Sequence, residues 1–151
     1  MKINSEKSTF SKLFDVSRET LTKLIQYELK IISFNEKSNI IGKSTIPHIW
    51  KRHFADSAKI LSLLTTIVKK KENRKLTICD VGSGAGFPGL VILILNQEKK
   101  VNFHMTLVES NKKKCSFLKD LIKCFKIKAE VINDRVENLN KRSYISFLLD
   151  G

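Results

Sequence analysis

The residues best suited to chemistry lie in one stretch, 76–89, which reads LTICDVGSGAGFPG. Its first residues are mostly apolar or β-branched, which is typical of a strand buried in a parallel sheet. Asp80 lies near the end of that strand, and Pro88 suits the first turn of a helix. Between them, glycines occupy alternate positions, where the chain can turn sharply or approach a ligand closely: Gly82, Gly84 and Gly86. The stretch predicts a nucleotide-binding corner between a strand and a helix.

Two classes of cofactor fit such a corner. The G-x-G-x-x-G pattern of dinucleotide-binding proteins is met by Gly84, Gly86 and Gly89, and the acidic Glu109 lies twenty positions further on. The loop also resembles the acidic-x-G-x-G-x-G loop of class I S-adenosylmethionine-dependent methyltransferases, with Asp80 as its acidic residue. The position of Asp80, two residues before the first glycine, and the glycine run 82–86 favour a methyltransferase. A nicotinamide-dependent oxidoreductase remains the alternative.

The elements around the loop alternate between strand and helix periods. Strands are predicted over 76–81, 103–108 and 127–132, with helices from Pro88 and over 111–125. This β-α-β-α-β order predicts a parallel sheet of order 3-2-1 that binds ligand at the carboxyl ends of its strands. Glu109, at the end of the second strand, is predicted to accept hydrogen bonds from the ribose hydroxyls of an adenosine cofactor.

Upstream of this core the sequence predicts helices. Ser17 suits a helix N-cap, and a stripe of apolar residues follows with helical spacing: Leu21, Leu24, Ile25, Leu29, Ile32 and Phe34. Residues 35–43 are predicted to form a loop, and Pro47 to open a second helix that breaks near Ser57. The first eleven residues are predicted to be frayed. The charged segment Lys69–Lys75 predicts a boundary between an N-terminal helical segment, 1–72, and the partial core, 73–151.

The net charge of +13 on 151 residues would attract a polyanion such as RNA. The abundance of Lys, Ile and Asn is also what an AT-rich genome produces, so both explanations stay open. No apolar stretch is long enough to span a membrane, and the N-terminus has no secretory signal pattern. The three cysteines show no metal-binding spacing. We expect a monomeric, cytoplasmic protein without a metal site.

Four segments together resemble the bacterial RsmG (GidB) family: NEKSNI at 35–40, RHFADS at 52–57, DVGSGAGFPG at 80–89 and DRVE at 134–137. The resemblance implies a class I, Rossmann-like α/β methyltransferase core preceded by an N-terminal helical segment. It also implies S-adenosylmethionine as the methyl donor and N7 of a guanosine in 16S ribosomal RNA of the small ribosomal subunit as the acceptor.

The same resemblance places Gly82 and Phe87 along the methionine and adenosine part of the cofactor pocket. Val136 and Glu137 match the segment that meets the adenine ring. With Glu109, Gly84 and Asp80 they form the predicted cofactor site, and the polar pair Arg52 and His53 is predicted to bind substrate. Guanine N7 carries a lone pair in the neutral base, so methyl transfer requires alignment and no deprotonation. We therefore predict no catalytic acid or base.

Members of this family continue beyond the DRVE segment into further strands, the first of which carries an S-R-A segment. Here residues 140–151 read NKRSYISFLLDG, and 144–149 could form a fourth strand without that arginine. We therefore expect an incomplete core, the product of a truncation or frameshift, without normal activity. After the methyltransferase and the oxidoreductase, the third hypothesis for function is a basic remnant that binds RNA without catalysing a reaction.

Overall fold

The computed structural model describes residues 5–72 and 74–139. It forms an incomplete Rossmann-like α/β fold with helices before and around a small sheet. The helices are α1 (Ser5–Leu13), α2 (Arg18–Lys37), α3 (Ala55–Lys70), α4 (Gly89–Lys99), α5 (Lys112–Cys124) and α6 (Val136–Leu139). The strands are β1 (Leu76–Val81), β2 (Phe103–Glu109) and β3 (Glu130–Asn133). The predicted fourth strand lies outside the described residues.

The three strands are parallel in the order β1-β2-β3, which confirms the predicted topology. Leu76 lies opposite Phe103 and Val81 opposite Val108, so β1 and β2 end at the same edge. Strand β3 pairs with β2 from Thr106 onward. The pairing places the carboxyl ends of all three strands side by side, where a parallel sheet binds its ligands.

Strand β3 begins later than the predicted residue 127, because α5 closes with a capping turn. Lys126 has a φ of +52°, and the amide of Ile127 donates back to the carbonyl of Ile122 at 2.9 Å. This pattern satisfies the last carbonyls of a helix and reverses the chain. The apolar residues before Glu130 therefore belong to the turn rather than to the strand.

One hydrophobic core joins the N-terminal helices to the sheet. Residues Leu90–Leu95 of α4 are all buried, which confirms the predicted burial of this helix on every side. Helix α4 packs against α2 and α3 as well as against β2. The core therefore continues across the charged segment 69–75, and the division of the chain at residue 72 stays a prediction.

Residues 5–11 are helical, so the predicted fraying of the first eleven residues is wrong for them. Phe10 is buried, and its ring packs edge-on against Trp50 with 5.2 Å between centroids. A single aromatic residue in a polar segment produces no periodic pattern. The tertiary contact decides that this segment is helical.

Helix α2 begins as predicted, because the Ser17 side chain accepts a hydrogen bond from the Thr20 amide at 3.2 Å. It runs to Lys37, further than predicted. Buried Asn35 closes the turn that follows, since its Oδ1 accepts from the amides of Ile40 (2.8 Å) and Ile41 (3.0 Å).

The apolar stripe of α2 also differs from the prediction at one position. Leu29 is 55% exposed, whereas Tyr27 is fully buried. Tyr27 continues the helical spacing of Leu24 and Ile31 and packs beneath the glycine loop, so its phenol takes the core position that the prediction gave to Leu29.

The second helical stretch has three parts, a 3₁₀ helix over Lys43–His48, a π-helix over Ile49–Phe54 and then α3. The helix type changes after His48 and again after Phe54, and α3 continues without interruption through Ser57, so the predicted break near Ser57 is wrong. Ser57 is buried, and its hydroxyl donates to the carbonyl of His53 at 2.7 Å, within the helix. Within the described ranges, no helix has the length and apolar content that crossing a bilayer requires.

Candidate functional site

A cleft of about 300 Å³ opens at the carboxyl ends of the strands. Three segments line it, each directly after or at the end of one strand: Val81–Gly82, Val108–Ser110 and Asp134–Glu137. Four of the predicted cofactor residues thus come together here, namely Gly82, Glu109, Val136 and Glu137. The cleft has the location that parallel sheets use for nucleotide ligands.

Gly82 forms the floor of the cleft where β1 turns away from the sheet. Its φ is +73°, and its amide donates to the carbonyl of Val108 at 2.8 Å, which fastens the turn to β2. A Cβ at this position would meet no atom within 4 Å. The backbone is therefore open to a ligand, and glycine is required by φ rather than by crowding.

Glu109 is the most strongly positioned side chain of the cleft, since only 7% of the residue is exposed. One carboxylate oxygen accepts from the Gly84 amide at 2.9 Å, and the other from the Asn111 amide at 2.8 Å. A carboxylate offers about four acceptor positions. The two amides occupy two of these, so acceptor capacity remains on this cleft-lining side chain.

The third side of the cleft is the start of α6. Asp134 shapes it, because its Oδ1 accepts from the Arg135 amide at 2.8 Å and from Asn138 Nδ2 at 2.7 Å. The side chain of Val136 is 36% exposed and offers an apolar surface to the cleft. Glu137 follows it and is exposed.

Asp80 and Gly84 do not border this cleft; they build the loop beside it. Asp80 Oδ2 accepts from the Gly89 amide at 3.1 Å and so ties the first turn of α4 to β1. Burial raises the pKa of Asp80, against the effect of hydrogen bonds from Ser83 and Gly89. Gly84 supplies the amide that holds Glu109. Cofactor contacts of Asp80 and Gly84 stay predictions.

Phe87 also lies away from the cleft lining, on the side of the loop that faces the N-terminal helices. Its ring stacks on His53 with 4.3 Å between centroids and 3° between planes. The Phe87 ring also packs in a tilted arrangement against Tyr27, with 5.8 Å between the ring centroids. His53 thus meets the glycine loop, whereas its neighbour Arg52 is exposed to solvent. Roles of Phe87 in cofactor binding and of Arg52 and His53 in substrate binding stay predictions.

Tyr27 is a positioning residue that is absent from the predicted site. Its hydroxyl donates to the carbonyl of Ala85 in the glycine loop at 2.5 Å, and burial raises its pKa well above the usual value. It therefore stays neutral and ties the N-terminal helices to the loop. The signal was available, because Leu24, Tyr27 and Ile31 share one helix face.

His53 gives a pH dependence of stability. Burial lowers its pKa, with opposing effects from Asp56, which raises it, and Arg52, which lowers it. Its Nε2 is buried and has no hydrogen-bond partner among the described residues. The folded protein favours neutral His53. As the pH falls below 6.5, the usual pKa of histidine, the unfolded chain therefore binds more protons than the folded protein does.

Wild-type stability should therefore fall as the pH drops below 6.5. Urea unfolding of the wild type and of His53→Phe, which keeps an aromatic ring against Phe87, measures this effect. The variant should lose less stability over that window. Parallel pH profiles of the two proteins would contradict the burial of neutral His53.

The comparison with known proteins decides the family. The model of the GidB family, rRNA small subunit methyltransferase G, matches residues 20–149. The chain belongs to this family. The match includes most of α2, the glycine loop and the cleft-lining segment at α6, whereas α1 precedes it.

Curated members of the GidB family named "Ribosomal RNA small subunit methyltransferase G" match most of the chain. The protein of Bartonella tribocorum is 41% identical over 134 residues, which cover 89% of this chain and 59% of the relative. The Bartonella henselae protein is 42% identical over 84% of this chain, and that of Parvibaculum lavamentivorans 36% identical over 87%. The chain spans between half and three-fifths of these relatives.

Proposed function

We propose that the chain binds S-adenosylmethionine in this cleft, as part of an enzyme that methylates N7 of a guanosine in 16S ribosomal RNA. The observation that carries the proposal is Glu109. Its carboxylate is fixed by two backbone amides beside the open backbone of Gly82, in a chain whose relatives are named rRNA small subunit methyltransferases.

The residues present fit this cofactor. Glu109 can accept both ribose hydroxyls with its remaining lone pairs, and Gly82 can approach the methionine part without a side chain in the way. Val136 offers apolar surface to the adenine ring, with Glu137 next to it. The cofactor supplies an activated methyl group on a positively charged sulfur.

The charges of the cleft favour this cofactor over a dinucleotide. Three carboxylates line the cleft, from Glu109, Asp134 and Glu137, against the one guanidinium of Arg135. Excess negative charge attracts a sulfonium and repels the pyrophosphate of a nicotinamide cofactor. None of the reported relatives is named as an oxidoreductase.

Methyl transfer to guanine N7 requires the protein to align N7 with the methyl group and requires no proton transfer. N7 has a free lone pair, so the methyl–sulfur bond breaks as the methyl–nitrogen bond forms, and no base is needed. Effective concentration and orientation supply the rate enhancement. The rigid turn held by Asp80, Tyr27 and Glu109 provides a fixed platform for that alignment.

On the substrate side, we assign RNA contact to the exposed Arg52 and its neighbour His53. The His53 ring lies against Phe87, so this pair links an RNA-contacting surface to the cofactor loop. The net charge of +13 supports a polyanionic partner. We further propose that the chain is monomeric and cytoplasmic.

Isothermal titration calorimetry of the purified chain with S-adenosylhomocysteine, and with NAD in parallel, tests the proposal. We expect saturable binding of S-adenosylhomocysteine with one site per chain and no heat from NAD. Binding of NAD alone would replace the methyltransferase with an oxidoreductase. Absence of binding to either, with a folded chain by circular dichroism, would contradict a cofactor site formed by these residues.

A further inference from the structure

The edge of the sheet where the strands begin, opposite the cleft, is strongly basic. Each strand is entered there through a connection from the preceding helix: 69–75 before β1, 100–102 before β2 and 123–130 before β3. These connections carry nine exposed cations, Lys69, Lys70, Lys71, Arg74, Lys75, Lys100, Lys123, Lys126 and Lys128. Glu72 and Glu130 are their acidic residues, which leaves a net charge of +7.

The fold brings these three connections together into one surface, which we call the basic edge. The Leu76 amide donates to the carbonyl of Asn102 at 3.1 Å and joins the first connection to the second. Gln97 Nε2, near the end of α4, donates to the carbonyl of Phe125 at 2.9 Å and joins the second to the third. The first and third connections, separated in the chain by residues 76–122, thus contribute to a single surface.

Ion pairs among the described residues leave this charge in place. Three helices end at the basic edge, and each helix C-terminus carries only about half a negative charge. No ion pair involves any of the nine cations within residues 5–72 and 74–139. A formal charge of +7, more than half of the net charge of +13, therefore lies at one edge, a distribution typical of a polyanion-binding surface.

We propose that the basic edge binds the phosphate backbone of ribosomal RNA, apart from the methyl-transfer site. The partner follows from the proposed function, and the location follows from the structure. β1 has six residues, so the two edges of the sheet lie about 20 Å apart. Phosphate contacts position an RNA without reading its sequence. The basic edge would anchor a structured RNA that also reaches the cleft.

Fluorescence anisotropy with a fluorescein-labelled, 30-nucleotide single-stranded RNA tests this proposal between 50 and 200 mM KCl. The edge variant carries four substitutions, Lys70→Gln, Lys75→Gln, Lys123→Gln and Lys128→Gln. The control variant removes the same charge from exposed positions on other elements, through Lys12→Gln, Lys30→Gln, Lys37→Gln and Lys43→Gln.

The edge variant should bind the RNA about tenfold more weakly or worse, with a salt slope shallower by about 3 if all four lysines contact phosphates. The control variant should stay within about threefold of the wild type. Equal weakening of both variants would overturn the proposal, because binding would then follow total charge. Unchanged binding by the edge variant would overturn it too, as would binding of phosphatidylserine vesicles, and not RNA, through the same lysines.

Calorimetry with S-adenosylhomocysteine on the same proteins separates this inference from the proposed function. The edge variant should bind that ligand like the wild type, which also shows that it folds. If the wild type fails to bind S-adenosylhomocysteine, the proposed function fails, and the RNA measurement still decides whether the basic edge is an RNA-binding surface.

Discussion

Replacing Gly86 with alanine is expected to lower the free energy of unfolding by about 2–5 kcal/mol. Gly86 has a φ of +103°, a conformation that costs any other residue about 1–2 kcal/mol. The new Cβ would also collide with Tyr27 Oη and lie 2.8 Å from Leu90 Cβ. Overpacking of this kind costs about 1–3 kcal/mol. Since domains are stable by about 5–15 kcal/mol, the variant should be marginal.

Two other glycines separate the contributions of strain and crowding. Gly82→Ala adds a Cβ at a positive φ without a steric contact, so it should lower the free energy of unfolding by only about 1–2 kcal/mol. Gly42→Ala lies at a φ of −60° with no atom closer than 3.8 Å, and should be neutral or slightly stabilising. Urea unfolding followed by circular dichroism measures all three variants. Equal stability of Gly86→Ala and Gly42→Ala would contradict the packing of Tyr27 against the loop.

Replacing Glu109 with glutamine is expected to weaken S-adenosylhomocysteine binding by about tenfold to a hundredfold. The amide group accepts at only one end, so its NH₂ would face either the Gly84 or the Asn111 amide, both of which are donors. Loss of a charge-assisted hydrogen bond costs about 1.5–3 kcal/mol, and 1.4 kcal/mol is tenfold in affinity. The ribose would lose its carboxylate acceptor as well.

Calorimetry measures this affinity, and urea unfolding measures stability on the same samples. Glu130→Gln, an exposed acid at the start of β3, removes the same charge away from the cleft and should bind like the wild type. An unchanged affinity for Glu109→Gln in a folded protein would show that the ribose is held elsewhere.

The sequence alone determined the strand and helix order of the core and the location of the cleft at the carboxyl ends of its strands. Strand β1 and the start of α5 after its N-cap Asn111 lie where predicted, since periodicity, caps and glycine turns act over a few neighbouring residues. The same local signals indicated Gly82 and Glu109. The segment at 134–137 came from the family resemblance rather than from any local physical signal.

The tertiary structure decided which of these residues act together, because the contacts join distant segments. Tyr27 meets Ala85 across 58 positions, and the Gly84 amide turns Glu109 toward the cleft across 25. His53 stacks on Phe87, and the helicity of α1 depends on Phe10 packing against Trp50. Sequence spacing cannot predict such pairs, since they form only when the sheet and its helices close around one core.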